Sequence, residues 1–267
     1  MKNLLRILVV IASFASLICI HESGHWLAAK AFGLSAPVFS IGLGPGDMSL
    51  RLGTFWGTEF RLSPIPLGGF VEIPAMDFSD SQPALPLWQR TIVGLAGVGA
   101  NLALAIGLLT WLFWSRGRVA QTGRRLSVKH AFALSLAAAA ETFLSILKSA
   151  GNHLCPFTSA DGNEVVGPLG AVRKGSQALA GGLVEYIILI ANVDLGLAVL
   201  NTLPVPPLDG GALSMAFAQR DLHLSVTQID LISLGVLLVV IALALITWAV
   251  RRLRRARAER SGLTRRT

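Results

Sequence analysis

Residues 4–31 read LLRILVVIASFASLICIHESGHWLAAKA, an apolar run that carries His21, Glu22 and His25 toward its C-terminal end. About 20 apolar residues cross the hydrocarbon of a bilayer, so the run is long enough to span it. In lipid each backbone N–H and C=O must be bonded within the segment, which makes the run a helix. Residues four apart on a helix share a face, so His21 and His25 can offer imidazole nitrogens to one metal ion, with Glu22 beside the first of them. Ionisable groups so close together in a spanning helix are expensive unless a metal or a partner holds them. The His21-Glu22-Ser23-Gly24-His25 pattern is therefore read as a metal motif rather than a coincidence.

The rest of the composition agrees with a membrane setting. Of 267 residues 53% are hydrophobic and 14% charged, and the mean hydropathy is +0.62, values that exclude an ordinary soluble domain. The net charge of +8 comes largely from a tail, residues 251–267, in which Arg251, Arg252, Arg254, Arg255, Arg257, Arg260, Arg265 and Arg266 face one acid, Glu259. Such a tail beside a span suits an anionic lipid surface; nucleic acid is not the expected partner. Cys19 and Cys155 are the only cysteines and give neither a disulfide framework nor a CxxC pair. A cleaved secretory signal would also begin with a basic residue and an apolar run, but no small-x-small site precedes His21 and the helical pattern continues through Ala31.

The expected architecture is mainly α, a polytopic membrane protein in one domain over residues 1–250, followed by the basic tail. Four spans are expected at about 4–32, 90–114, 183–203 and 229–250. The third carries Glu185, Asn192, Asp194 and Asn201, which must face other helices or a wet cavity. Between the first two spans, residues 38–73 alternate short β-prone pieces with Gly42, Gly44-Pro45-Gly46, Gly57 and Pro64/Pro66, the pattern of a small antiparallel sheet at the membrane face. Residues 128–150, rich in Ala and Leu but carrying Lys129, His130, Glu141 and Lys148, read as an interfacial helix, with a fifth span as the alternative. Trp88, Trp111, Trp114 and Trp248 stand near span ends, as an aromatic belt does.

A catalytic zinc takes three protein ligands and leaves the fourth position open. Asp209 is the candidate third ligand, in the segment Asn201-Thr202-Leu203-Pro204-Val205-Pro206-Pro207-Leu208-Asp209-Gly210-Gly211. Prolines there break an apolar helix, and irregular backbone at membrane depth is tolerated only where it lines a protein-buried or watery site. An ordinary Pro-rich turn is the plain alternative. Zinc lowers the pKa of water to about 7 and polarises a carbonyl, so with Glu22 as general base the expected chemistry is amide hydrolysis. His153, Cys155, Asp161 and Glu164 fit no ligand spacing and read as a solvated loop, while His130 and His223 read as interfacial.

Together these stretches resemble the site-2 protease family of intramembrane zinc metalloproteases. The resemblance rests on HESGH in the first span, on Phe39-Ser40-Ile41-Gly42 and Pro66-Leu67-Gly68-Gly69-Phe70, on Trp88-Gln89-Arg90, on Gly167-Pro168 and on the Asn201–Gly211 segment. It implies one zinc ion per chain held by His21, His25 and Asp209, with Glu22 as the catalytic base. It implies that Asn201 binds the substrate backbone or the oxyanion; a helix-capping amide is the alternative reading. The sheet would receive an extended strand of a transmembrane protein substrate, a membrane-tethered regulator or a signal-peptide remnant. The implied location is a bacterial cytoplasmic membrane.

Two features depart from the family pattern. The second span usually carries Gly-Pro before its Asn, whereas here it reads Ala96-Gly97-Val98-Gly99-Ala100-Asn101. A PDZ domain commonly follows that span, but Ser115–Ser127 is too short to hold one. Two expectations about orientation also conflict. Arg116, Arg118, Arg124, Arg125 and Lys129 place the termini of a four-span chain in the cytoplasm, with the HESGH end outside, whereas the resemblance places the zinc nearer the cytoplasmic face. Readings from other classes are a metal-ion transporter, in which Glu22 is one more ligand, and a non-catalytic membrane scaffold.

Overall fold

The computed structural model describes residues 2–76, 85–117, 125–152, 168–206 and 208–222, together with 224, 225, 227–229, 231–236, 238 and 239. The basic tail, most of the span expected at 229–250, and His153, Cys155, Asp161, Glu164, Pro207 and His223 lie outside these residues.

The first apolar run forms one helix, α1 (Lys2–Ala31). Four strands follow, β1 (Val38–Leu43), β2 (Leu50–Phe55), β3 (Thr58–Leu62) and β4 (Ile65–Glu72). Five further helices complete the described chain: α2 (Leu87–Arg116), α3 (Val128–Asn152), α4 (Pro168–Gly181), α5 (Leu183–Thr202) and α6 (Asp209–Leu222). Among the described residues α1, α2 and α5 are long and apolar enough to cross a membrane, which accounts for three of the four expected spans.

The bundle exposes large apolar side chains while burying several polar ones among its apolar core. Leu4, Leu5, Leu8, Ile92 and Trp111 are exposed, while His21, Asn101, Ser135 and Asp194 are buried. Water would favour the opposite arrangement; lipid favours this one. The segment expected at the interface is α3, which packs lengthwise on α2. Ser135 pairs with Thr110 at 2.7 Å, and Ala139, one turn on in α3, packs with Leu195 and with Ala105, which stands five residues before Thr110 on α2. The helix therefore runs antiparallel to α2.

The sheet has the order β2-β3-β1-β4 and is mixed, not purely antiparallel as the sequence suggested. A tight hairpin joins β2 to β3 through Trp56 and Gly57, at φ 50° and 72°, the left-handed pair that two-residue hairpin loops require. That hairpin folds back so that β3 lies parallel to β1, with Phe39 opposite Phe60, while β4 pairs antiparallel on the other side of β1. The parallel pairing is a long-range contact, which the local alternation of residues does not specify. β4 is consequently an edge strand, and it packs along α1.

Candidate metal centre

Two elements carry the three candidate ligands to one point. His21 and His25 lie one turn apart on α1, and Asp209 opens α6. Their contacting atoms form a nearly equilateral triangle: His21 Nε2 to His25 Nε2 is 3.2 Å, His21 Nε2 to Asp209 Oδ2 is 3.0 Å, and His25 Nε2 to Asp209 Oδ2 is 3.3 Å. Zinc bonds of about 2.0 Å in tetrahedral geometry require ligand atoms about 3.3 Å apart. Asp209 Oδ2 is buried and, despite those short approaches, makes no well-directed hydrogen bond to either ring nitrogen. Three such atoms converging within 3.0–3.3 Å suit a shared cation, and two imidazoles with one carboxylate are a zinc donor set.

The supporting groups fix how each ligand points. His25 Nδ1 donates to the Val93 carbonyl of α2 at 2.7 Å, which leaves the Nε2 lone pair for a metal. Asp209 is delivered by the break after α5. Pro204 and Pro206 lack an N–H and cannot continue the helix, and Val205 and Leu208 instead bond the carbonyls of Leu203 and Val205. Gly210 and Gly211 then let α6 start against that turn, since a Cβ at Gly210 would strike the Thr202 carbonyl and one at Gly211 would strike Val205.

Asn201, in the last turn of α5, brings its amide nitrogen to 3.5 Å from His21 Nε2. Glu22 is turned toward β4 rather than into the triangle. Its carboxylate accepts from the Val71 N–H, and its Cγ lies 3.3 Å from where a Cβ of Gly69 would stand. All five residues singled out from the sequence thus lie at one place, between α1, α2, the end of α5 and the edge strand.

Gly97 and Gly24 were not singled out. A Cβ on Gly97 would clash with His25 Nε2 and stand 2.7 Å from His21 Nε2, so the second helix can touch the histidines only through a glycine. Gly24, inside the motif, meets the Ala96 carbonyl in the same way, which makes the α1–α2 crossing a backbone contact. The available signal was a run of small residues in a spanning helix, the usual mark of close helix packing.

Trp26 ties the sheet to the metal helix next to His25. Its indole N–H donates to Thr58 Oγ1 at 2.8 Å, and that hydroxyl donates to the Ala36 carbonyl at 2.6 Å. Thr58 is fully buried, so Thr58→Val should leave the indole donor unpaired and destabilise the protein by about 1–3 kcal/mol. Thermal unfolding of bilayer-reconstituted protein checks this, with Thr58→Ser expected to stay near wild type.

The sequence profile described as Peptidase family M50 matches residues 9–243. Among similar proteins, one from Chlamydia trachomatis is 40% identical over 118 residues, an alignment that covers 38% of this chain and 19% of the relative. One from Nostoc is 39% identical over 115 residues, covering 39% and 30%, and one from Campylobacter jejuni is 39% identical over 109 residues, covering 38% and 28%. Each carries the name "Putative zinc metalloprotease". The matched part spans less than a third of the length of these relatives. The profile match, which takes in α1, the sheet, α2 and the Asn201–Gly211 segment, establishes that the chain belongs to peptidase family M50, the site-2 proteases.

Proposed function

We propose that the chain is an intramembrane zinc endopeptidase that hydrolyses a peptide bond in or near a transmembrane segment of another membrane protein. The observation that carries the reading is the triangle of His21, His25 and Asp209 atoms with sides of 3.0–3.3 Å, set inside a lipid-facing bundle. Zinc held there supplies a Lewis acid for the scissile carbonyl and brings the pKa of water to about 7.

The remaining steps belong to the chain's own groups. Glu22 takes the proton of the attacking water on its free carboxylate oxygen and passes it to the leaving amide nitrogen. The Asn201 side-chain amide, 3.5 Å from His21 Nε2, donates to the oxygen that develops negative charge. The outer edge of β4 offers backbone groups to a substrate segment drawn out as a strand, beside the Val71 amide that holds Glu22. A transmembrane helix hides its amides in its own ladder, so strand addition supplies what unwinding loses. The substrate is a single-span protein of the membrane in which the enzyme sits, a bacterial cytoplasmic membrane by the family reading.

The test uses the purified full chain in lipid nanodiscs with a single-span substrate. Wild type is expected to hold one zinc ion per chain and to cut within or beside the span, as mass spectrometry of the fragments would locate. Asp209→Asn should weaken zinc about 10- to 100-fold or more and lower cleavage in parallel, with partial recovery in excess zinc. Cleavage that survives complete chelation of zinc would exclude the proposal. Zinc-dependent metal uptake into liposomes without cleavage would point to the transporter class instead.

A further inference from the structure

Asp194 lies in the middle of α5, fully buried, and beyond an approach to the Ala105 backbone neither carboxylate oxygen has a well-formed hydrogen bond among the described residues. It takes no part in the metal centre, since its offset of seven positions from Asn201 amounts to about 10 Å of helix. Its carboxylate faces the backbone of α2 at Ala105, whose N–H already serves the helical ladder. One turn toward the metal centre on the same buried stripe of α2 stands Asn101, also fully buried, with both amide atoms unpartnered among the described residues. α3 closes the junction, where Ala139 packs with Ala105 and Leu195, and Ser135 pairs with Thr110 at 2.7 Å.

An uncompensated carboxylate inside a membrane bundle costs several kcal/mol or more. No described basic side chain provides compensation. On α1 Arg6, Cys19 and Lys30 are partly buried besides the groups of the metal centre, Arg6 standing 15 residues and Lys30 nine residues from His21, about 22 Å and 14 Å along the helix, and on α2 Arg90 and Arg116 are each 11 residues from the nearer of Asn101 and Ala105, about 16 Å away. Lys129, His130 and Glu141 of α3 and Arg173 of α4 are exposed, Lys174 of α4 makes no ion pair, and Arg220 and Asp221 of α6 face each other at the surface. A proton would neutralise Asp194 and give it one O–H for the Asn101 oxygen, an arrangement that responds to pH and not to sodium. A hard cation uses carboxylate and amide oxygens together, and one carboxylate balances a single positive charge rather than two.

We propose that Asp194 and Asn101 form a second cation site, separate from the zinc site and buried between α2 and α5, that binds a sodium ion. The ion would tie together the two helices that carry Gly97 and Asn201 to the metal centre. The inference is independent of the protease reading.

The test is thermal unfolding of the zinc-loaded chain in nanodiscs, in sodium chloride and in choline chloride at equal ionic strength, repeated across a pH series. Sodium is expected to raise the wild-type Tm saturably, and the rise should vanish in Asp194→Asn and Asn101→Leu while each variant retains zinc, which reports an intact bundle. Binding of radioactive sodium to wild type, displaced by unlabelled sodium chloride, carries the test if either variant loses zinc. A Tm equal in both salts, a Tm that follows pH alone, or no displaceable sodium overturns the site.

Discussion

Replacing Glu22 by Gln is expected to lower turnover of a single-span substrate by about 10²- to 10⁴-fold while zinc content stays at the wild-type level. The amide has the shape of the carboxylate and can still accept from the Val71 N–H, so the packing against Gly69 persists. It cannot take a proton from water. Zinc retention follows from the position of Glu22, which is turned toward β4 and lies outside the triangle formed by His21, His25 and Asp209. The measurement is single-turnover cleavage beside metal analysis of the same sample. Undiminished cleavage would remove Glu22 from the mechanism, and lost zinc would make it a ligand, as a transporter requires.

The second large effect is expected at a residue with no chemistry of its own. Gly97→Ala places a methyl group in contact with His25 Nε2 and 2.7 Å from His21 Nε2, on helices whose backbones already touch at Gly24 and Ala96. Neither helix can retreat cheaply, because Val93 on α2 also holds His25 Nδ1 at 2.7 Å. The variant should lose zinc and, with it, cleavage to below detection. Gly99→Ala is the matched control, since a Cβ there meets nothing within 4 Å and zinc and activity should both remain. Full zinc occupancy in Gly97→Ala would show that the helix pair yields more readily than this packing allows.

The two variants mark the boundary between what was legible and what was not. Glu22 was readable because the HExxH spacing and the helix period together place three groups around one metal. Gly97 was not, because its importance depends on which face of α2 meets α1, and a run of Ala and Gly in a spanning helix is compatible with several faces. The sheet divides in the same way. The β-prone stretch 38–73 holds all four strands, since alternation and flanking glycines are local properties. The parallel pairing of β1 and β3 depends on a hairpin folding over in space, and the antiparallel expectation failed there. Asp194 was visible as a polar residue in an apolar helix, yet only the packing of α5 on α2 sets its carboxylate one turn from Asn101.

By itself the sequence determined the membrane setting, helices long and apolar enough to span at α1, α2 and α5, and the HExxH motif, all consequences of composition, hydropathy length and fixed spacing, and it offered Asp209 as the candidate third ligand. The tertiary structure decided that Asp209, 184 positions beyond His25, comes to 3.3 Å from it, that Glu22 turns to an exposed strand edge, and that a glycine must stand behind the histidines. The physical reason is that local pattern constrains only neighbours along the chain, whereas ligand geometry is fixed by where helix surfaces can approach. Here they approach at Gly24 and Gly97, and around that contact the His21-Glu22-Ser23-Gly24-His25 motif becomes a site.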